Sequence, residues 1–125
     1  MLEFSKRRVI VTGMTMENQI VPVRLEVMDA DGGPMLRVSG RLDAANAPAF
    51  GAALLPLLAE VKTTPVLDLS GVEYISSSGL RVLLQAAKQL QPRGCRLTLT
   101  RVPASVYAVL TLSGFATFMT IQQQE

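Results

Sequence analysis

Three consecutive serines, Ser76, Ser77 and Ser78, stand between an apolar run and Gly79, and they are the residues best placed to do chemistry. A serine hydroxyl can attack a carbonyl, cap a helix or accept a phosphoryl group. Attack needs a base, and the chain has no histidine. That removes Ser-His-Asp catalysis, imidazole metal sites and imidazole proton transfer together. No Gly-x-Ser-x-Gly elbow or glycine-rich phosphate loop takes their place. The lone cysteine, Cys95, cannot form an intrachain disulfide or a thiolate cluster. Arg93 and Arg96 flank it, but a small, half-buried residue entering a strand is the simplest role. Catalytic residues, metal ligands and a resident cofactor are therefore not expected. Capping and phosphoryl acceptance remain.

The context of the serines serves both roles. They follow Pro65-Val-Leu-Asp-Leu-Ser70, a compact apolar strand carrying one acid, and precede a strongly amphipathic segment. Leu80, Leu83, Leu84, Ala87 and Leu90 recur at helical spacing, with Arg81, Gln85, Lys88 and Gln89 on the other side. One serine suffices to cap such a helix by accepting from a free N–H of its first turn. Three exceed that need. The loop leaves the carboxyl end of a strand, the usual edge for sites in α/β sheets. A helix N-terminus also favours anions, and Arg81 lies four residues beyond Ser77, where it can face a phosphate. Asp68 reads equally as a supporting acid near the loop or as a carboxylate bonded to backbone. Asp43 reads as a helix cap, a partner contact, or both.

The elements that must hold this loop follow from periodicity. Val21 to Met28 alternates, Asp29 to Gly33 is a turn cluster, and Met35 to Ser39 resumes extended structure, which together read as a hairpin. Gly40 to Asn46 leads into a helix whose face is Phe50, Leu54, Leu57, Leu58 and Val61. Pro48 suits its first turn, whereas Pro56 predicts a kink or two shorter helices. Beyond the helix at 77–91, Gln91 to Gly94 is a stop and Cys95 to Thr100 a strand. Pro103 opens a short helix through Leu112, and Phe118 to Ile121 is a last strand. The expected fold class is α/β: a mixed, mostly parallel sheet with an N-terminal β-hairpin and helices packed on it. Residues 1–20 read as an extension with one possible strand over Arg8 to Thr12, and residues 21–125 as a single domain.

Length and composition bound the rest. A chain of 125 residues, 49% of them hydrophobic, can bury a core without disulfides or metal. No apolar run reaches the ~18 residues of a membrane span, and no secretory signal opens the chain, so a cytoplasmic protein without membrane insertion is expected. Net charge is only +2 and aromatics are 5%. Basic stripes and stacking platforms for nucleic acid are missing, so no nucleic-acid partner is expected.

Against this background the stretch Asp68-Leu-Ser-Gly-Val-Glu-Tyr-Ile-Ser-Ser-Ser-Gly-Leu80 resembles the signature of the STAS domain family of bacterial anti-sigma factor antagonists. Ser39-Gly-Arg-Leu-Asp-Ala-Ala45 resembles that family's Gly-x-Leu-Asp stretch, and Leu112-Ser-Gly-Phe115 its leucine-rich turn before the last strand. The resemblance covers residues 21–121, and the family's usual final helix is not expected after Ile121. It implies a non-enzymatic partner switch with Ser77 as phosphoacceptor. Asp43, Ser76, Ser78, Gly79 and Arg81 are implied around the switch loop, with Asp68 a possible support. It also implies two partners, an anti-sigma factor with serine kinase activity, which supplies ATP and Mg²⁺, and a cognate phosphatase. Position 76, where switching antagonists commonly carry aspartate, is serine here. An alternative keeps the fold but makes the protein an unphosphorylated adaptor, in a secretion or motility complex or as a soluble subunit of a lipid-transport ATPase.

Overall fold

The alternating run that begins at Val21 becomes strand β2 (Ile20–Ala30). It pairs antiparallel with β3 (Gly33–Leu42) on one side and with β1 (Lys6–Met14) on the other. The computed structural model describes residues 6–14, 20–30, 33–60 and 64–124. Residues 1–20 thus contribute a full strand, longer than Arg8 to Thr12. The turn residues Asp31 and Gly32, the side chains of Val21 and Val23, and Val61 lie outside the described residues.

After the hairpin, strands and helices alternate as α1 (Ala47–Glu60), β4 (Val66–Ile75), α2 (Ser77–Leu90), β5 (Thr98–Val102), α3 (Ala104–Leu112) and β6 (Thr120–Gln123). The sheet order is β1-β2-β3-β4-β5-β6, with β3 to β6 mutually parallel. Each helix connects adjacent parallel strands, and every crossover advances in the same direction. Right-handed crossovers therefore place all three helices on one face. Beneath them lie Leu25, Leu36, Val38, Leu67, Leu69 and Leu99, all at most 2% exposed.

Several boundaries differ from expectation for identifiable reasons. β4 continues to Ile75 instead of ending at Ser70, because Gly71 to Ile75 stays paired with β3 through two register shifts. Gly40 makes the second shift possible: its φ of +107° is open to glycine and costly for other residues. Gly71 lies so close to Ser39 that an added Cβ would meet the Ser39 Cβ at 2.6 Å. The last strand begins at Thr120, after a 3₁₀ turn over Phe115–Thr117. α1 runs through Pro56 as one helix instead of two. Ala52, whose carbonyl loses its donor at Pro56, is exposed, so water can replace that bond.

The buried arc of α2 is also wider than the sequence stripe. Gly79, Val82, Leu83, Ala86, Ala87 and Leu90 are buried, whereas Leu80 and Leu84 are half-buried. The cause is α1, which packs alongside α2: a Cβ on Gly51 would contact Val82 at 3.4 Å. Gln89, expected to face water, instead donates from Nε2 to the Leu55 carbonyl at 2.9 Å. Arg93 donates to the Leu58 carbonyl at 2.9 Å, which satisfies one of the four open carbonyls at the end of α1.

Candidate functional site

The junction between β4 and α2 is one residue long. Ser76 has extended backbone, φ −91° and ψ 173°, and its Oγ accepts from the Gly79 N–H at 3.2 Å. Ser76 is thus the N-cap, and its own N–H donates to the Leu42 carbonyl at 2.7 Å, tying the loop to the end of β3. Gly79 is buried where the first turn of α2 meets both strands. An added Cβ would sit 2.9 Å from Ile75 Cγ1 and 3.1 Å from Leu42 Cβ, so a larger residue would push α2 off the sheet.

Because Ser76 takes the capping role, Ser77 does not have to. Ser77 is the first residue of α2 and is exposed. Among the described residues no hydrogen bond engages its hydroxyl. Ser78 is half-buried and faces a shallow groove toward the start of α1, of about 190 Å³, shared with Arg81. Arg81 is exposed one turn beyond Ser77. The structure therefore brings Ser76, Ser77, Ser78, Gly79 and Arg81 together on the first turns of one helix.

Asp43 lies at the end of β3 and organises the start of α1. Its Oδ1 accepts from the N–H groups of Ala45 and Asn46, both at 3.0 Å, while its own N–H donates to Asn46 Oδ1 at 3.0 Å. Asn46 is fully buried and donates from Nδ2 to the Arg41 carbonyl at 2.7 Å. This reciprocal box gives Asp43 the helix-capping role. Its partner Asn46 was not singled out from sequence, although Asp-x-x-Asn before an apolar helix is a readable signal.

Asp68 is placed elsewhere. It is fully buried between Leu67 and Leu69, whose side chains face the helices, so the Asp68 carboxylate points to the opposite face of the sheet. Its Oδ1 accepts from the Ser70 N–H at 2.8 Å. Its Oδ2 faces Arg37 Nε at 3.6 Å and Arg101 at 3.4 Å. Of the two roles left open by sequence, the geometry gives it the backbone-bonded one. Arg101 reaches it from a left-handed backbone, φ +55°, at a register shift in β5. Such a conformation costs a non-glycine residue about 1 kcal/mol or more, which the contact to a buried charge can offset. The clamp fastens β3, β4 and β5 together and leaves the serine loop alone.

At the outer end of β4, Arg41 stacks over the Tyr74 ring at 4.5 Å. Tyr74 and Val109 of α3 are partly exposed and line a second groove, of about 200 Å³, with Glu73, Ile75, Ser105 and Val106. Among the described residues no cluster of three or more Asp, Glu, Cys or His side chains is arranged to hold a metal ion. No described helix is long and apolar enough to cross a membrane.

Comparison with known proteins agrees with this architecture. A family model described as "Mlab, STAS domain" matches residues 26–122. The chain is 36% identical to the "Putative anti-sigma factor antagonist BtrV" of Bordetella bronchiseptica, over 74% of this chain and 80% of that protein. It is 31% identical to the anti-sigma-F factor antagonist RsfB of Mycobacterium tuberculosis, over 54% and 56% of the two chains. In structure it is similar to an anti-sigma factor antagonist from Mycobacterium paratuberculosis. There the TM-score is 0.72 at 26% identity, covering 80% of this chain and 85% of the other.

Proposed function

Because the chain belongs to the STAS domain family, we propose that it is an anti-sigma factor antagonist that works by partner switching, with Ser77 as its phosphoacceptor. The names of its relatives support the antagonist role. The observation that carries the assignment to Ser77 is the division of labour within the triplet. Ser76 is committed to the cap and Ser78 is half-buried, while Ser77 is exposed at the head of α2.

Unmodified, the protein binds an anti-sigma factor in the cytoplasm and thereby frees the sigma factor. The anti-sigma factor is also a serine kinase: it transfers the γ-phosphoryl group of Mg²⁺-bound ATP to Ser77 Oγ, the hydroxyl proton passes to a base of the kinase, and ADP leaves. Phosphate on Ser77 ends the complex, and a phosphatase restores the serine by hydrolysis. The protein itself catalyses nothing in this cycle. It supplies a rigid loop whose hydroxyl can be reached. Ser76 in place of aspartate favours a second reading, an adaptor of the same fold that is never phosphorylated.

Incubation with the kinase and ATP separates the two. The expected product carries a single phosphate, mapped by fragmentation mass spectrometry to Ser77, and Ser77→Ala takes up none. Ser76→Ala loses about 0.5–2 kcal/mol of stability with its cap yet still accepts the phosphate. A phosphate on Ser76 or Ser78 would overturn the assignment. No phosphate, in the presence of a confirmed binding partner, would establish the adaptor.

A further inference from the structure

Among the described residues the six-stranded sheet ends at β1 on one side and at β6 on the other. The two edges differ in how they resist a further strand. β6 is four residues long, ends in Gln122-Gln123 and pairs with β5 through a register shift. β1 is nine residues long, contains no proline and pairs with β2 in unbroken register. Its charges are confined to Lys6-Arg7-Arg8 at one end. Short length, bulges, proline and distributed charge are the devices that protect an edge, and most of β1 lacks them.

The register tells which backbone groups of β1 are open. β2 and β3 close on the pair Ala30–Gly33, two residues apart in the loop, and such a connection closes on a hydrogen-bonded pair. Bonded and non-bonded pairs alternate from there, so the even-numbered residues of β2 bond to β3 and the odd-numbered ones to β1. Pro34, which has no N–H to give, stands opposite Asp29 at a non-bonded pair, as this parity requires. Val21, Val23, Leu25 and Val27 therefore bond to Gly13, Val11, Val9 and Arg7. The N–H and C=O groups of Lys6, Arg8, Ile10, Thr12 and Met14 are left directed away from the sheet.

A second observation lies on the same flank. α1 packs against β1, and its sequence has no polar or charged side chain before Glu60. A helix that is apolar all round is ordinarily covered all round. Gly51 marks the side of α1 that faces α2. Ala49, Ala53 and Leu57 stand two or six residues from it, on roughly the opposite side of the helix, and are only partly buried.

We infer that a second copy of this chain pairs antiparallel with β1, about a two-fold axis at Ile10. Ile10 then stands opposite Ile10 of the second copy, Arg8 opposite Thr12, and Lys6 opposite Met14. Every open residue meets an open residue, so the edge closes on itself. The two Lys6-Arg7-Arg8 clusters fall at opposite ends of the pair, each against uncharged positions. The axis is perpendicular to the sheet, which keeps the helices of both copies on one face. The rows Ala49, Ala53 and Leu57 meet across it, and two alanines in each row let the helices approach closely. The serine loop follows β4, three strands from this edge, so the dimer leaves both copies of Ser77 exposed, at opposite ends of the doubled sheet.

Sedimentation velocity over a range of concentrations reads the mass of the whole chain without any partner, so the result is separate from the partner-switch reading. The expected species is a dimer of twice the 13.5 kDa of one chain, in equilibrium with monomer. Ile10→Pro removes an outward N–H and no bond within the copy, and weakens the dimer about tenfold or more. Ala53→Glu leaves β1 untouched, brings like charges together across the axis, and does the same. In a Cys95→Ser background, Ile10→Cys forms an intermolecular disulfide under mild oxidation, because the Cα atoms of a hydrogen-bonded antiparallel pair are about 5.5 Å apart. Met14→Cys does not, since the two copies of position 14 lie at opposite ends of the pair. Circular dichroism checks each fold; if Ile10→Pro unfolds, Ala53→Glu and the cross-link still decide. A chain that stays monomeric at every accessible concentration overturns the inference. So does a dimer that either folded variant leaves intact, or one that cross-links at position 14 in preference to position 10.

Discussion

Replacing Leu83 with alanine lowers the unfolding free energy by about 2–5 kcal/mol, whereas the same change at its neighbour Leu84 costs about 1 kcal/mol. The two residues have the same side chain and the same helix, and differ in what surrounds them. Leu83 is fully buried between α2 and the sheet, so its truncation loses transfer free energy and leaves a cavity. Leu84 is half-buried at the margin of the core, where water or neighbouring side chains can fill the space. From sequence alone both belonged to one stripe. Denaturant unfolding of the two variants with a common slope measures the difference directly. Equal losses would mean that α2 is rotated from the orientation described here.

Substituting Ser77 with aspartate weakens binding of the anti-sigma factor at least ~100-fold while leaving the fold intact. The fold is spared because Ser77 is exposed at the first position of a helix, where a negative charge gains about 0.3–1 kcal/mol from the dipole and the free N–H groups. Nor is the cap disturbed, since Ser76 provides it. Binding is expected to suffer because the proposed interface would enclose a neutral hydroxyl at this position. An unpaired charge enclosed there costs about 3 kcal/mol or more, equivalent to two or more orders of magnitude in Kd. Circular dichroism and cooperative melting check the first half of this prediction, and a calorimetric titration checks the second. A largely unfolded Ser77→Asp protein would mean that the serine is a structural residue and that the surface-switch account is mistaken.

Much of this arrangement is legible before any coordinates are known, and what is not legible has physical causes. The helices over 77–90 and 104–112 follow from apolar spacing and from Gly94 and Gly114, which stop the segments after them. The parallel order of β3 to β6 follows from strands alternating with helices. The extension of β4 to Ile75 is hidden because Ser70-Gly71 has the composition of a turn, and only pairing with β3 across the register shifts keeps it extended. Val82 and Ala86 escape a single-stripe reading because α2 is buried on two sides, against the sheet and against α1. The roles of Asp43 and Asp68 depend on partners at different ranges. The Asp43–Asn46 box is local and readable, whereas Arg37 and Arg101 reach Asp68 from neighbouring strands. Which of three adjacent serines caps the helix and which is left free depends on where β4 ends, and the sequence places that end five residues too early.

Whether modification of Ser77 controls the partner without disturbing the fold is decided on a single preparation measured before and after quantitative phosphorylation. The anti-sigma factor is titrated calorimetrically with both forms, and their melting curves are recorded in parallel. The phosphorylated form is expected to bind at least ~100-fold more weakly and to melt cooperatively at an equal or slightly higher temperature. Equal affinity of the two forms would mean that Ser77 does not control the partner.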